Sequence, residues 1–483
     1  MYTEVKNYSM LVAGGWTTSG ARMEATSPAT GEIIGTVPEG TREDVQRAIS
    51  EANRAWPAWA ALSAFERAAV IDRVADIIEE RREDLAWTLT LDQGKPLAVE
   101  AYDEVDELIV YFRAAAADVT RLNGVMPPSV DAEKRVFLYR VPRGVVGVIS
   151  PWNWPYTMPA ELIAPALAAG NAVVWTPAPS TSICAVKLAE CIVDAGLCTG
   201  VFSMITGHGP VVGDEVAANP GTQAVAFIGS TATGRKVAER AAGKVQLLEM
   251  GGNGPMVVLE DADLDAAAEA ALESAFLGAG QSCTAGERFL VHEAVHDAFL
   301  EKLVAAMERG TRLGDPFDPT TTLGPLNNEA TALKMDQHIA DAMERGATLV
   351  SGGARDESFP TSLYYRPTIL DGVTEEMRVA REETFGPIIP ITTVRDEAEA
   401  LRITNASPFG LLAAVWTADL GRGLRFAEAA RTGWVNINAS TNHWESHLPF
   451  GGRTGTDSGS GRVGGRNAME TFTELKTVIA HVG

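Results

Sequence analysis

The sequence predicts an α/β protein built around a doubly wound parallel sheet. Between Gly144 and Glu249, five apolar runs at 145–149, 172–175, 201–205, 224–228 and 245–249 alternate with helical segments. Unbroken hydrophobicity is what a strand buried on both faces requires, and the intervening helices supply the cover. The ends of such strands are where a dinucleotide would sit. A second α/β block runs from Gly251 to about Trp444, and 483 residues leave room for two or three domains.

The other elements follow in order. Residues up to Thr41 read as short strands and turns. A helix then begins, with Glu43 and Asp44 in its first turn, where carboxylates suit the helix dipole. Ser63 with Glu66 forms a capping-box pattern opening a long helix. Its apolar stripe is Phe65, Val74, Ile77, Ile78 and Leu85, and Gly94 with Pro96 stops it. A further helix extends to about Arg121. Residues 123–143, with Pro127, Pro128 and the alternation Val136, Leu138, Val141, read as a projecting hairpin. An exposed strand pair needs a partner, and a second subunit would cover it. The stretch 471–482 alternates like one more strand, and 451–465 is rich in glycine.

Composition narrows the function. Hydrophobic residues make up 46% and charged residues 21%, as in soluble globular proteins. A net charge of −23 speaks against binding phosphate backbones or anionic lipid. No apolar stretch is long enough to span a bilayer, and residues 1–10 lack the charged-then-apolar pattern of a secretion signal. Cys184, Cys191, Cys198 and Cys283 are too few for a disulfide framework, so a reducing cytoplasm is expected. Cys184 and Cys191 share one helix face and read as small core residues. No metal site is expected.

Five segments carry chemistry. In Gly280-Gln281-Ser282-Cys283-Thr284-Ala285-Gly286, small neighbours leave room for a substrate carbon at the cysteine sulfur, which needs a lowered pKa or a nearby base. In Leu248-Glu249-Met250-Gly251-Gly252, a strand-end carboxylate could activate the thiol or a water. Ser150-Pro151-Trp152-Asn153-Trp154-Pro155 is a rigid loop whose amide could donate to a developing oxyanion. Phe227-Ile228-Gly229-Ser230-Thr231-Ala232-Thr233-Gly234 is a strand-to-helix turn suited to pyrophosphate, although it lacks the GxGxxG pattern. In Glu382-Glu383-Thr384-Phe385-Gly386-Pro387, Glu383 could accept from ribose hydroxyls and Phe385 could pack on a flat ring.

In this order and spacing, with Pro449-Phe450-Gly451-Gly452, these segments resemble the aldehyde dehydrogenase superfamily over nearly the whole chain. The resemblance implies a Rossmann-like cofactor domain (1–122 and 142–250), an α/β catalytic domain (251–448) and an oligomerisation arm (123–141 and 465–483). It implies Cys283 as nucleophile, Glu249 as general base, and Asn153 with the Cys283 N–H as oxyanion hole. Ser150, Trp152, Gly229, Ser230, Glu383 and Phe385 would line the site of a nicotinamide dinucleotide. A homodimer or homotetramer is the corresponding expectation. The reaction implied is oxidation of an aldehyde to an acid through a thioester on Cys283. An acylating relative would pass that thioester to coenzyme A or phosphate, and Glu249 favours water.

The chain departs from the pattern in three places. Where relatives carry Lys-Pro-Ala-Glu, it has Thr176-Pro177-Ala178-Pro179. Thr176 could still meet a ribose hydroxyl, and with Pro179 in place of the glutamate NADP becomes possible. The absence of an obvious basic residue points to NAD. Where many relatives place a relay lysine and glutamate, it has Leu162 and Val463, so Glu249 is expected to lose its proton by another water path. The loops 438–448 and 453–461 look long. His443, Trp444 and Phe450, with Tyr156, Met158, Ser282 and Thr284 opposite, suggest a pocket for an apolar or aromatic aldehyde. A rival reading is His292-Glu293-Ala294-Val295-His296, which matches the zinc-protease HExxH pattern. Residues 288–291 read as a strand running directly into His292, however, and the motif needs both histidines on one helix face.

Overall fold

The structure, a computed structural model, describes residues 5–18 and 20–483. Part of the expectation about a secretion signal at 1–10 falls on residues 1–4, outside the described residues. Two sheets organise the chain. The first has eight strands, in the order Gly459–Ser460, Val245–Glu249, Ala224–Ile228, Val145–Ile149, Ala172–Thr176, Phe202–Met204, Met10–Val12, Gly15–Thr17. The five strands between Val145 and Glu249 pair in parallel, as their unbroken apolar runs require. The expected strand at 201–205 is shorter, Phe202–Met204, and the run at 172–175 extends to Thr176.

The second sheet has seven strands, in the order Thr348–Ser351, Thr368–Asp371, Ile388–Val394, Gly286–His292, Gly254–Val258, Leu412–Trp416, Trp434–Ile437. Only its Thr348–Ser351 edge is antiparallel. The chain then returns to the first sheet, where Gly459–Ser460 pairs with Leu248 and Glu249. The strand that carries Glu249 is therefore not an edge.

The helices obey their local signals. Thr41 with Asp44 and Ser63 with Glu66 both close reciprocal capping boxes. The long helix expected from Ser63 is two, Ala64–Glu80 and Arg82–Gln93, hinged at Arg81 and ended by left-handed Gly94. Phe65 does not belong to the apolar stripe: it is 71% exposed. Cys184 and Cys191 are buried free thiols, as expected of core residues.

Residues 123–143 are not a hairpin. The strand Lys134–Pro142 pairs antiparallel along its whole length with the C-terminal strand Thr473–His481, and only the Val125–Leu138 bridge ties the preceding segment to it. The alternation signalled a strand correctly but could not name its partner, which lies more than 300 residues away. Among the described residues, no helix is long and apolar enough to cross a membrane.

Candidate active site

Cys283 follows a tight turn. Gly278, Ala279 and Gly280 all adopt left-handed backbone (φ 60°, 55° and 71°) before the chain enters the strand Gly286–His292. At Gly280 a Cβ would lie 2.2 Å from the Gly386 carbonyl oxygen, so only glycine fits. The same argument applies across the site: a Cβ at Gly252 would lie 2.2 Å from the Cys283 carbonyl oxygen. The two glycine-bearing segments are pressed against each other, and this brings the end of the Val245–Glu249 strand to the thiol.

Glu249 is 3% exposed, and its Oε1 has no partner among the described residues. Burial pushes its pKa up to about 8, the Cys283 side chain opposing and the Glu383 charge adding. Burial, and then the Glu249 charge, push the Cys283 thiol well up. The thiol is thus held protonated and needs a base to take its proton. Of the two ways to activate a thiol anticipated from sequence, the fold supplies the nearby base and not the lowered pKa. The Asn153 Nδ2 donates to the Gln281 carbonyl at 2.8 Å, which anchors the amide two residues from Cys283 and leaves its second N–H for another acceptor.

Two cavities meet at this point, and Cys283, Glu249 and Met158 line both. The outer cavity, about 300 Å³, is also lined by Trp152, Gly229, Ser230, Lys334, Glu383 and Phe385. Ser230 caps the ten-residue helix Thr231–Arg240, so an anion-attracting helix N-terminus borders the cavity. Flat apolar rings, a carboxylate and a helix start are the donor set that a nicotinamide dinucleotide calls for. Phe385 has φ 64°, strained for a non-glycine residue. Its N–H and that of Thr384 donate to the buried Glu287 carboxylate at 2.6 and 2.8 Å, which holds the ring edge-on to Trp152 at 5.6 Å. Glu383 accepts from the Gly252 N–H at 2.8 Å. Sequence reading missed Glu287 and Lys334, for nothing local marks them.

Three expected cofactor residues lie outside the lining of this cavity. The Ser150 hydroxyl accepts from the Trp175 indole at 2.8 Å and lies behind the cavity wall. Thr176 is buried and its hydroxyl faces the Val148 carbonyl at 3.5 Å, so it is turned into the sheet rather than toward a ribose. Pro179 is exposed at the start of a short 3-10 turn.

The inner cavity is walled by Trp154, Met158, Trp444 and Phe450, with Ser282 and Thr284 beside the thiol. Trp444 and Phe450 meet edge-on at 5.8 Å. Thr284 donates to Asn442 at 2.6 Å, docking the 438–448 loop onto the cysteine turn. Two expected pocket residues are absent from it. Tyr156 is fully buried, its hydroxyl donating to the Leu85 carbonyl at 3.2 Å in the core. His443 is exposed to solvent and only its backbone is held, by Asn436. Leu162 is buried away from the cavity, whereas Val463 lines it.

A residue not anticipated lines it too. Glu161 lies on the wholly buried helix Thr157–Ala168, is 4% exposed, and accepts from the Tyr111 hydroxyl at 3.0 Å. The signal was present in the sequence, since a carboxylate inside an otherwise apolar helix rarely occurs without a function.

The HExxH reading fails on geometry. His292 ends a strand and His296 begins a helix, where Asp297 and Asp371 hold its ring at 2.8 Å each. Among the described residues no cluster could hold a metal ion.

Comparison with known proteins agrees with this geometry. The aldehyde dehydrogenase family profile matches residues 16–478. The NADP-dependent succinate-semialdehyde dehydrogenase of Escherichia coli is 40% identical, over 96% of each chain. The α-ketoglutaric semialdehyde dehydrogenase of Bacillus subtilis is 39% identical, over 99% of this chain and 98% of that one. An NAD-dependent aldehyde dehydrogenase structure from Sinorhizobium meliloti superposes with TM-score 0.96 at 36% identity, covering 100% and 96% of the two chains. The chain belongs to the aldehyde dehydrogenase family, as an enzyme that oxidises aldehydes to acids with a nicotinamide dinucleotide as acceptor.

Proposed function

We propose that Cys283 is the nucleophile, Glu249 the general base, and Asn153 with the Cys283 N–H the oxyanion hole. The observation that carries this is that Cys283 and Glu249 line both cavities, so the thiol stands where a substrate from one side meets a cofactor from the other. The Glu249 carboxylate takes the thiol proton, and the sulfur adds to the aldehyde carbon. The oxyanion so formed accepts from the free Asn153 N–H and from the Cys283 backbone. Losing one such donor typically costs about 2.7–4 kcal/mol of transition-state stabilisation. A nicotinamide dinucleotide in the outer cavity would supply the hydride acceptor, and collapse of the tetrahedral centre leaves a thioester on Cys283. Glu249, having passed the thiol proton on to solvent, then takes a proton from the water that attacks the thioester and returns it to the departing sulfur, so acid and thiol are released. A base set so close to the sulfur favours water over coenzyme A as acyl acceptor.

In the outer cavity, Trp152 and Phe385 would flank the nicotinamide, Glu383 would hold its ribose, and Gly229 with Ser230 would meet the pyrophosphate. The adenosine end would lie near Pro179. No carboxylate stands at that position to repel a 2′-phosphate, so both NAD and NADP are accepted, as the differing relatives are consistent with. The paired strands Lys134–Pro142 and Thr473–His481 carry the exposed apolar residues Phe137, Tyr139, Leu475 and Ile479, which supports an oligomerisation arm and a homodimer or homotetramer. Four free cysteines support a cytoplasmic setting.

The test is reduced-coenzyme formation by absorbance across aliphatic and aromatic aldehydes, with NAD and NADP in parallel. Cysteine-dependent turnover, lost in Cys283→Ala, is the expected result. Absence of both turnover and dinucleotide binding would overturn the reading.

A further inference from the structure

The inner cavity has an unusual electrical character. Its lining includes two carboxyl groups, Glu161 and Glu249, and neither lysine nor arginine. Glu249 faces the thiol, whereas Glu161 lies on the helix Thr157–Ala168 and has no part in the steps above. The buried charges nearby are also mostly acidic. Burial, and after it the Glu107 and Glu249 charges, push the Glu161 carboxyl well up, and Lys95 is spent on Glu104 at 2.5 Å and on the Trp154 ring. Tyr111 fixes the carboxyl by donating to its Oε1 at 3.0 Å, and the Tyr111 ring packs 6.0 Å from Trp444. The cavity is therefore a small enclosure with aromatic walls, Trp444 and Phe450, and an oriented carboxyl.

A carboxylate brought here on a substrate would be stripped of water and set among acids with no cation to pair it, a costly arrangement. A neutral chain would bury its apolar surface and leave Glu161 without a second partner. A protonated amine would supply that partner and would face aromatic rings that attract cations. We propose that Glu161 is a specificity residue that selects aldehydes bearing a protonated amine at the far end and rejects acid semialdehydes. This rests on the assignment of Cys283 and Glu249 above. It sets the chain apart from the two semialdehyde-oxidising relatives to which it is 39–40% identical.

Three aldehydes of similar length test the proposal: 3-aminopropanal, butanal and succinate semialdehyde. The expected order of kcat/KM is amine, then neutral, then acid, with the amine ahead of butanal by about 10- to 100-fold. Glu161→Gln keeps the shape and the Tyr111 hydrogen bond. It should abolish the amine preference, bringing kcat/KM for 3-aminopropanal down to that for butanal. Glu161→Arg should bring succinate semialdehyde to the top. A wild-type preference for succinate semialdehyde, or a Glu161→Gln variant that slows all three aldehydes alike, would overturn the proposal. The second of these would mark Glu161 as part of the proton path.

A readout without turnover separates this from the reaction assignment. Propylammonium, and not propionate, should slow alkylation of Cys283 by iodoacetamide in the wild type, and neither should do so in Glu161→Gln. Equal protection by both ions would sink the charge selection even if aldehydes are oxidised. If alkylammonium protects but no aldehyde, butanal included, is oxidised, the reaction assignment fails instead.

Discussion

The two cavities that meet at Cys283 are built from different kinds of sequence. The outer one is assembled from strand ends and glycine turns: Trp152 and Asn153 after Val145–Ile149, Gly229 and Ser230 after Ala224–Ile228, and Glu249 at the end of its own strand. Each of those segments announces itself, because a chain that must turn sharply beside a ligand needs glycine, proline or a capping residue there. The inner cavity draws on the middle of a helix, at Met158 and Glu161, and on a long loop around Trp444. Nothing in local periodicity separates a helix residue facing a cavity from one facing the core, and Tyr156, which fell in the core, shows the consequence. The motifs shared with the family lie in the first kind of segment, and the selectivity proposed for Glu161 rests on the second.

The largest expected effect breaks both cavities at their meeting point. Cys283→Ala should lower kcat by about 10⁴-fold or more, with dinucleotide affinity retained, measured by steady-state absorbance and coenzyme fluorescence. Retained turnover would mean that another group is the nucleophile. Next, Glu249→Gln should slow thioester hydrolysis by about 10²- to 10⁴-fold in single-turnover chemical quench. Only the ionised carboxylate takes a proton, and burial holds Glu249 at about 8, so the wild-type rate should rise as pH climbs through that value. The glutamine variant should lack this rise, and a persisting one would assign it to a different group.

Asn153→Ala should cost about 10²- to 10³-fold in kcat with little change in KM, as expected when a donor acts only on developing charge. A change confined to KM would argue for ground-state binding instead.

The outer cavity can be loosened without touching the reacting atoms. Glu287→Ala removes the acceptor that holds the Thr384 and Phe385 N–H groups. Released from its strained backbone, Phe385 should lose its fixed position, and the coenzyme Kd should rise about tenfold by titration calorimetry. The smallest effect is expected at the inner cavity. Installing a lysine–glutamate pair by Leu162→Lys with Val463→Glu should leave thioester hydrolysis within about twofold of wild type if Glu249 already has a water path. A large acceleration would show that a relay was lacking.

Much of the fold was legible. The five parallel strands, the Ser63 capping box, the core cysteines and the meeting of Cys283 with Glu249 in one cavity all follow from hydrophobic runs, capping residues and motif order. The errors share a cause. The helix broken at Arg81, the exposed Phe65, the long-range partner of Lys134–Pro142, the inward Thr176 and the solvent-facing His443 each depend on which distant segment lies alongside.

The sequence by itself determined what is set by near neighbours along the chain: strand and helix type, the turns that demand glycine, and a cysteine, a carboxylate and an amide placed at such turns. Only the tertiary structure decided what depends on contacts between remote segments. It gave Glu249 a buried setting, with one carboxyl oxygen lacking a partner among the described residues, and this burial raises its pKa to about 8. It placed Glu287 under Phe385 and set Glu161 in the lining of the inner cavity. The physical reason is that desolvation and charge interactions act through space, so a carboxylate in the sequence acquires its chemical character only when the rest of the chain has closed around it.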